Sequence, residues 1–221
     1  MKILQGLLTK ELLDLLKICI VSELVATQQV SIYSFNKWIF FSVESICMER
    51  YKRYIGEKVY LTALAPCDAE ALTKWHNDPE VAQYSIDFRE MKSLLTIRDE
   101  VNEVVKSGEA FAIFDKTNDK IIGCSLGCTV MMGEKDYWYT GHDLEALEFL
   151  KDFCFNVRNE NIVTVSAFSH DTRTLESYTK SGFRKTCVYR QRLIRGRDKY
   201  DEIHMDMLAT EYWASQRDSE G

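Results

Sequence analysis

From Lys58 to Leu208 the hydrophobic period switches repeatedly between two and about 3.6 residues, and the order of those switches limits the fold more than any other feature. "KVYLTAL" alternates as a strand. "CDAEALTKWHNDPEV" reads as a short helix, with Asp68 placed to accept from its first free amides and Asn77-Asp78-Pro79 stopping it. "MKSLLTIRDEVNEVVKSGE" is a second helix, closed by Gly108. Two strands follow around the turn "KTNDK", and "CTVMMGEK" is another. "LEALEFLKDFCFNVR" spaces Leu144, Leu147, Leu150 and Phe153 or Cys154 as one face of a helix. "IVTVSAF" is a buried strand, and "TRTLESYTKSG" is a helix with Gly182 at its C-terminal end. "TCVYRQRLI" and "YDEIHMDML" pair around "RGRDK". The order β-α-α-β-β-β-α-β-α-β-β predicts an α/β domain with a mixed sheet.

Upstream of Ile55 the character changes. "LLTKELLDLLKICIVSELV" places leucines at helical spacing with charges opposite, and "FNKWIFFSVESICMERYKRY" is a second apolar stretch ending in a basic cluster. The sequence therefore predicts a helical extension over 1–54, the α/β domain over 55–213 and a disordered tail over 214–221. The extension reads equally as a helical hairpin packed on the domain or on a partner, and as a stretch preceding a start at Met48.

A 46% hydrophobic and 28% charged composition over 221 residues is that of a soluble globular protein with a sizeable core. The net charge of −6 speaks against a nucleic-acid partner, which rewards clustered Lys and Arg. Seven cysteines, without repeated spacing, read as reduced thiols in a cytoplasmic protein. Cys124 and Cys128, with His142 and His170 beyond, match no metal-ligand pattern and read as small strand hydrophobes, so no metal is expected. No apolar run reaches the ~20 residues of a membrane helix. Lys10, Glu11, Asp14 and Lys17 interrupt the apolar N-terminus, which excludes a signal peptide.

The stretch "MMGEKDYWYTGHDLEALEFLKDFCF", residues 131–155, runs from strand through one glycine-bearing loop into a helix. A helix start offers unpaired N–H groups and partial positive charge, and a glycine lets a ligand approach the backbone. On pattern alone this junction is a phosphate cradle or an ordinary turn.

The stretches "LTKWHNDPEVAQY", "GEAFAIFDKTNDKIIG", "MMGEKDYW", "GHDLEAL", "AFSHDTRTLESYTKSGF" and "YDEIHMDML", in that order, resemble the GNAT superfamily of acyl-CoA N-acyltransferases. More narrowly they resemble its ribosomal-protein N-terminal and amino-sugar acetyltransferases. The resemblance covers about seven tenths of the chain. It implies a mixed, mostly antiparallel sheet flanked by helices, whose fourth and fifth strands, Thr129 to Gly133 and Ile162 to Phe168, splay to admit the cofactor's pantetheine arm. It further implies a diphosphate loop over Trp138, Tyr139, Thr140, Gly141, His142 and Asp143, a helix beginning at Leu144, and pantetheine pairing with the backbone near Met131, Met132 and Gly133. Asp171 stands where an asparagine usually opens the next helix. Acetyl-CoA is the implied co-substrate and a primary amine the acceptor; a homodimer is compatible with it.

The chemistry is aminolysis of a thioester. Main-chain N–H groups would stabilise the oxyanion. Tyr178 matches the tyrosine that protonates the leaving thiolate; its plainer reading is a helix tyrosine packed on the sheet. The usual basic carboxylate is absent, Gly127 standing in its place, which leaves Glu134 as the nearest candidate base and His170 as a second. Both have bland readings, as a solvated loop carboxylate and a capping or surface histidine.

Asp143 replaces the loop's last glycine. A helix-start acid gains about 0.3–1 kcal/mol. Against a phosphate about 4 Å away it loses about 1 kcal/mol in water and about 4 at an effective dielectric near 20. Two functions follow: an acetyl-CoA-dependent N-acetyltransferase of a protein N-terminus, amino sugar or other small amine, or a catalytically silent module of the same fold that uses its N-terminal helices as a partner surface.

Overall fold

The computed structural model describes residues 50–85 and 90–219. Of the helical extension expected over 1–54, residues 1–49 lie outside the described residues, whereas 50–53 are not helical and Tyr54 belongs to a strand. Fourteen helices and strands are described, and the strands fall into two antiparallel sheets. The first has the order β1 (Tyr54–Ile55), β2 (Val59–Ala63), β3 (Ala110–Asp115), β4 (Ile121–Leu126), β5 (Thr129–Met132). The second has the order β6 (Ile162–Phe168), β8 (Asp198–Leu208), β7 (Arg184–Arg195). The sequence predicts one mixed sheet. The splay between β5 and β6 is instead complete: the ladder stops at one strand and restarts at the other, so each sheet is purely antiparallel.

Helices α1 (Ala69–Asn77), α2 (Pro79–Ala82) and α3 (Leu94–Val104) connect β2 to β3. Helix α4 (His142–Asp152) lies between β5 and β6, α5 (Thr172–Lys180) between β6 and β7, and α6 (Ala209–Ser219) closes the chain. Strand alternation sorts β3 between two cores. Ala110, Ala112 and Phe114 join Ile97 and Val101 of α3 and Ala69 of α1. Phe111 and Ile113 join a larger cluster that holds Ala146, Leu147 and Leu150 of α4 together with Met132 of the first sheet and Val163, Met205 and Met207 of the second. One buried cluster thus includes α4 and residues of both sheets.

Three local expectations are corrected. Asp68 does not cap α1; its carboxylate accepts from Ala65 N at 2.9 Å and pairs with Arg50 at 2.5 Å, because a tight turn precedes the helix. Residues 214–219 are helical rather than a loose tail, since buried Tyr212 stacks on Phe155 at 4.8 Å and anchors α6. Cys67 is disulfide-bonded, whereas Cys124, Cys128, Cys154 and Cys187 are free. No described helix is long and apolar enough to cross a membrane.

Candidate active site

The gap between β5 and β6 holds a cavity of about 400 Å³. Its walls include Thr129, Val130, Met131 and Met132 on one side and Ser166 and Ala167 on the other, with Tyr84, Trp138, Asp171, Arg173 and Tyr178 around them. The hydrogen-bond phase of β5 decides which backbone groups face it. The hairpin turn is short, and Gly133 N donates to Ile122 O at 2.9 Å. Alternation then turns Thr129 and Met131 toward β4 and leaves the backbone groups of Val130 and Met132 pointing across the gap. Trp138 Nε1 takes the Met132 carbonyl at 2.9 Å, which agrees with this phase.

Of the residues expected around the cofactor, the structure brings Met131, Met132, Trp138, Asp171 and Tyr178 to the cavity. Asp171 caps α5, accepting from Thr174 N at 3.2 Å. Gly133 lies elsewhere: its α-carbon is covered by the Trp75 indole, where an added Cβ would sit 1.9 Å from Cδ2. Gly141 precedes α4 at φ 81°, so the chain turns into the helix through a left-handed residue. Tyr139, at φ 62°, is three-quarters exposed. Thr140 Oγ1 and His142 Nδ1 lie 2.7 Å apart, and burial lowers the His142 pKa. His142, Asp143 and Leu144 form the first turn of α4, whose N–H groups have no partner within the helix.

Asp143 is turned inward. Its Oδ2 accepts from Ser177 Oγ, and it borders a small recess with Val130, Met132, Arg173 and Tyr178. Tyr178 is 1% exposed, and its hydroxyl has no hydrogen-bond partner among the described residues. Burial pushes its pKa above the ordinary phenol value, and the Asp171 charge adds to this; the Val130 backbone opposes it.

Neither candidate base borders the cavity. Glu134 Oε1 accepts from Lys74 Nζ at 2.6 Å and Trp75 Nε1 at 2.8 Å, and its Oε2 from Lys120 Nζ at 2.6 Å. Burial alone would raise its pKa, but the bonds from Lys120, Lys74 and Trp75 outweigh it and hold the carboxyl at about 2. His170 Nε2 lies 3.1 Å from the Gln83 carbonyl oxygen, with Tyr84 and Tyr200 rings at 5.4 and 4.1 Å.

Three residues at this site carry no signal in the local sequence. Lys58 Nζ donates to Thr140 O at 2.7 Å and would meet a Cβ on Gly141 at 3.1 Å, so it places a cation on the loop. Arg173 lies 4.4 Å over the Trp138 ring, and its Nη1 is buried without a partner among the described residues. Glu145 accepts from Glu57, Lys58 and Val59 N at 2.6, 2.8 and 2.7 Å, tying β2 to the first turn of α4.

This geometry defines the chain as having the fold of the GNAT acetyltransferases, two sheets parted at a cleft with helix termini at its rim. Among solved structures it is similar to an acetyltransferase (GNAT family) from Bacillus anthracis, at 17% identity, 71% of this chain, 98% of that one and a TM-score of 0.60. It is similar also to spermidine N-acetyltransferase from Vibrio cholerae in complex with CoA and spermine, at 14% identity, 72% and 99% coverage and a TM-score of 0.62. A GCN5-related N-acetyltransferase from Brucella melitensis matches at 16% identity, 75% and 82% coverage and 0.57. These identities show the fold and do not single out a branch. No protein-family profile matches the sequence, and no curated protein matches it.

Proposed function

We propose that the chain is an acyltransferase that moves an acetyl group from acetyl-CoA to a primary amine. The observation that carries this reading is Tyr178: a buried hydroxyl, without a hydrogen-bond partner among the described residues, at a cleft also lined by Val130 and Met132 of β5. The outward N–H groups of Val130 and Met132 would pair with the pantetheine amides and polarise the thioester carbonyl. The amine nitrogen bonds to that carbonyl carbon as the C–S bond breaks, and Tyr178 gives its proton to the departing sulfur. The amine's own proton leaves through water, since Glu134 at a pKa of about 2 is a poor acceptor and sits outside the cleft.

The diphosphate would lie at the first turn of α4. There Lys58 and Arg173 supply the positive charge that Asp143 subtracts from the loop. Calorimetry with acetyl-CoA, followed by thiol release across an amine panel, tests the reading; absence of binding at millimolar cofactor removes it. The contact of Asp143 with Ser177, in the small recess beside Tyr178, favours one rival, a silent module with an obstructed cofactor site. Under that rival Asp143→Gly raises CoA affinity steeply while thiol release stays at background.

A further inference from the structure

A second cavity, of about 270 Å³, continues the cleft on the side away from Tyr178. Cleft and groove share Leu72, Ile97, Glu100, Thr129 and Met131, so the two are continuous. Strand register explains the division. Met131 lies opposite Cys124 and Thr129 opposite Leu126, so these four side chains share one face of the β4–β5 hairpin, toward α3. Val130 and Met132 turn to the other face, where Asp143 and Tyr178 lie. The α4–α5 side is thus the cofactor side, and the α3 side is left for the acceptor.

That acceptor side is hydrocarbon. Val101 and Val104 of α3 face the groove, Leu126 is 52% exposed and Met131 is 37% exposed. Large apolar side chains held open beside a reaction cleft are surface that a ligand would cover. The carboxylate where cleft and groove meet, Glu100, is already paired with Lys92 at 2.8 Å. It does not offer the unpaired negative charge that would hold the second ammonium of a polyamine.

We infer that the amine accepted here carries an extended apolar body, alkyl or aryl, lying along the groove between α3 and the β4–β5 hairpin; the inference rests on the acyl-transfer reading for its choice of an amine. The amino group would sit near Met131, where groove and cleft meet, and the body would run toward Leu126 and Val104.

The test is calorimetry of n-alkylamines from butylamine to octylamine, and of spermidine, on the full chain in saturating CoA, with thiol release from acetyl-CoA measured in parallel. Each added methylene tightens binding about three- to fourfold, and spermidine binds no better than butylamine. Val104→Glu, at a half-buried position, and Leu126→Asp, at an exposed one, each flatten the series. A flat series in the unaltered chain, or spermidine binding tighter than octylamine, overturns the inference. A steep series without thiol release supports the groove and removes the transferase reading. Thiol release with a flat series retains the transferase reading and removes the groove.

Discussion

Tyr178 borders the cleft, and burial, which raises its pKa, keeps the phenol protonated at neutral pH. Tyr178→Phe therefore lowers kcat about 10²-fold or more, with little change in KM for acetyl-CoA, in steady-state assays. Glu134 belongs to stability instead. Its folded pKa of about 2 lies below the 4.5 of a free glutamate. Folding thus favours its charged form, and its contribution is present above about pH 4.5 and lost as pH falls toward 2. Glu134→Gln costs about 1–3 kcal/mol at pH 7, and urea titrations between pH 5 and 2 show a shallower loss of stability than in the parent. At Asp143, Asn keeps a partner for Ser177 and removes the charge. Asp143→Asn tightens CoA binding at least about fivefold at low salt, and calorimetry in rising salt shows the gain shrinking.

At the scale of elements, the exit from β5 is fixed by one aromatic contact. Trp75 of α1 lies flat on Gly133 and donates to Glu134, locking α1 to the end of the strand. Gly133→Ala forces the indole away and costs about 1–3 kcal/mol, measurable by urea denaturation. The elements themselves were legible in the sequence because each period of two or 3.6 is a local property: "IVTVSAF" is β6, and Gly108 and Gly182 end their segments at φ 72° and 94°. The division into two sheets was not legible from periodicity, since β5 and β6 each look like ordinary strands. The resemblance alone carried the splay of these two strands, and it implied one sheet rather than two. Tyr178 and Asp143 were found through the same motifs, whereas Lys58 and Arg173 act across 82 residues and through an indole face respectively, pairings that no local pattern encodes. The lysines that hold Glu134 likewise come from two distant segments, which no local pattern encodes.

At the scale of the molecule, the two sheets share one buried cluster, which includes α4, rather than a hydrogen-bonded ladder. A ligand bridging the cleft stabilises the whole by mass action, about 2.7 kcal/mol at a concentration of 100 Kd. Thermal melts in CoA therefore shift upward with concentration, and Asp143→Asn reaches the same shift at lower CoA. The missing rungs have a further consequence. Under tension applied across the two halves, backbone ladders resist as a set, but no ladder among the described residues crosses from β5 to β6, so this line is expected to yield first. An occupant spanning the line would act as a splint, and the force needed to pull the halves apart would rise in its presence.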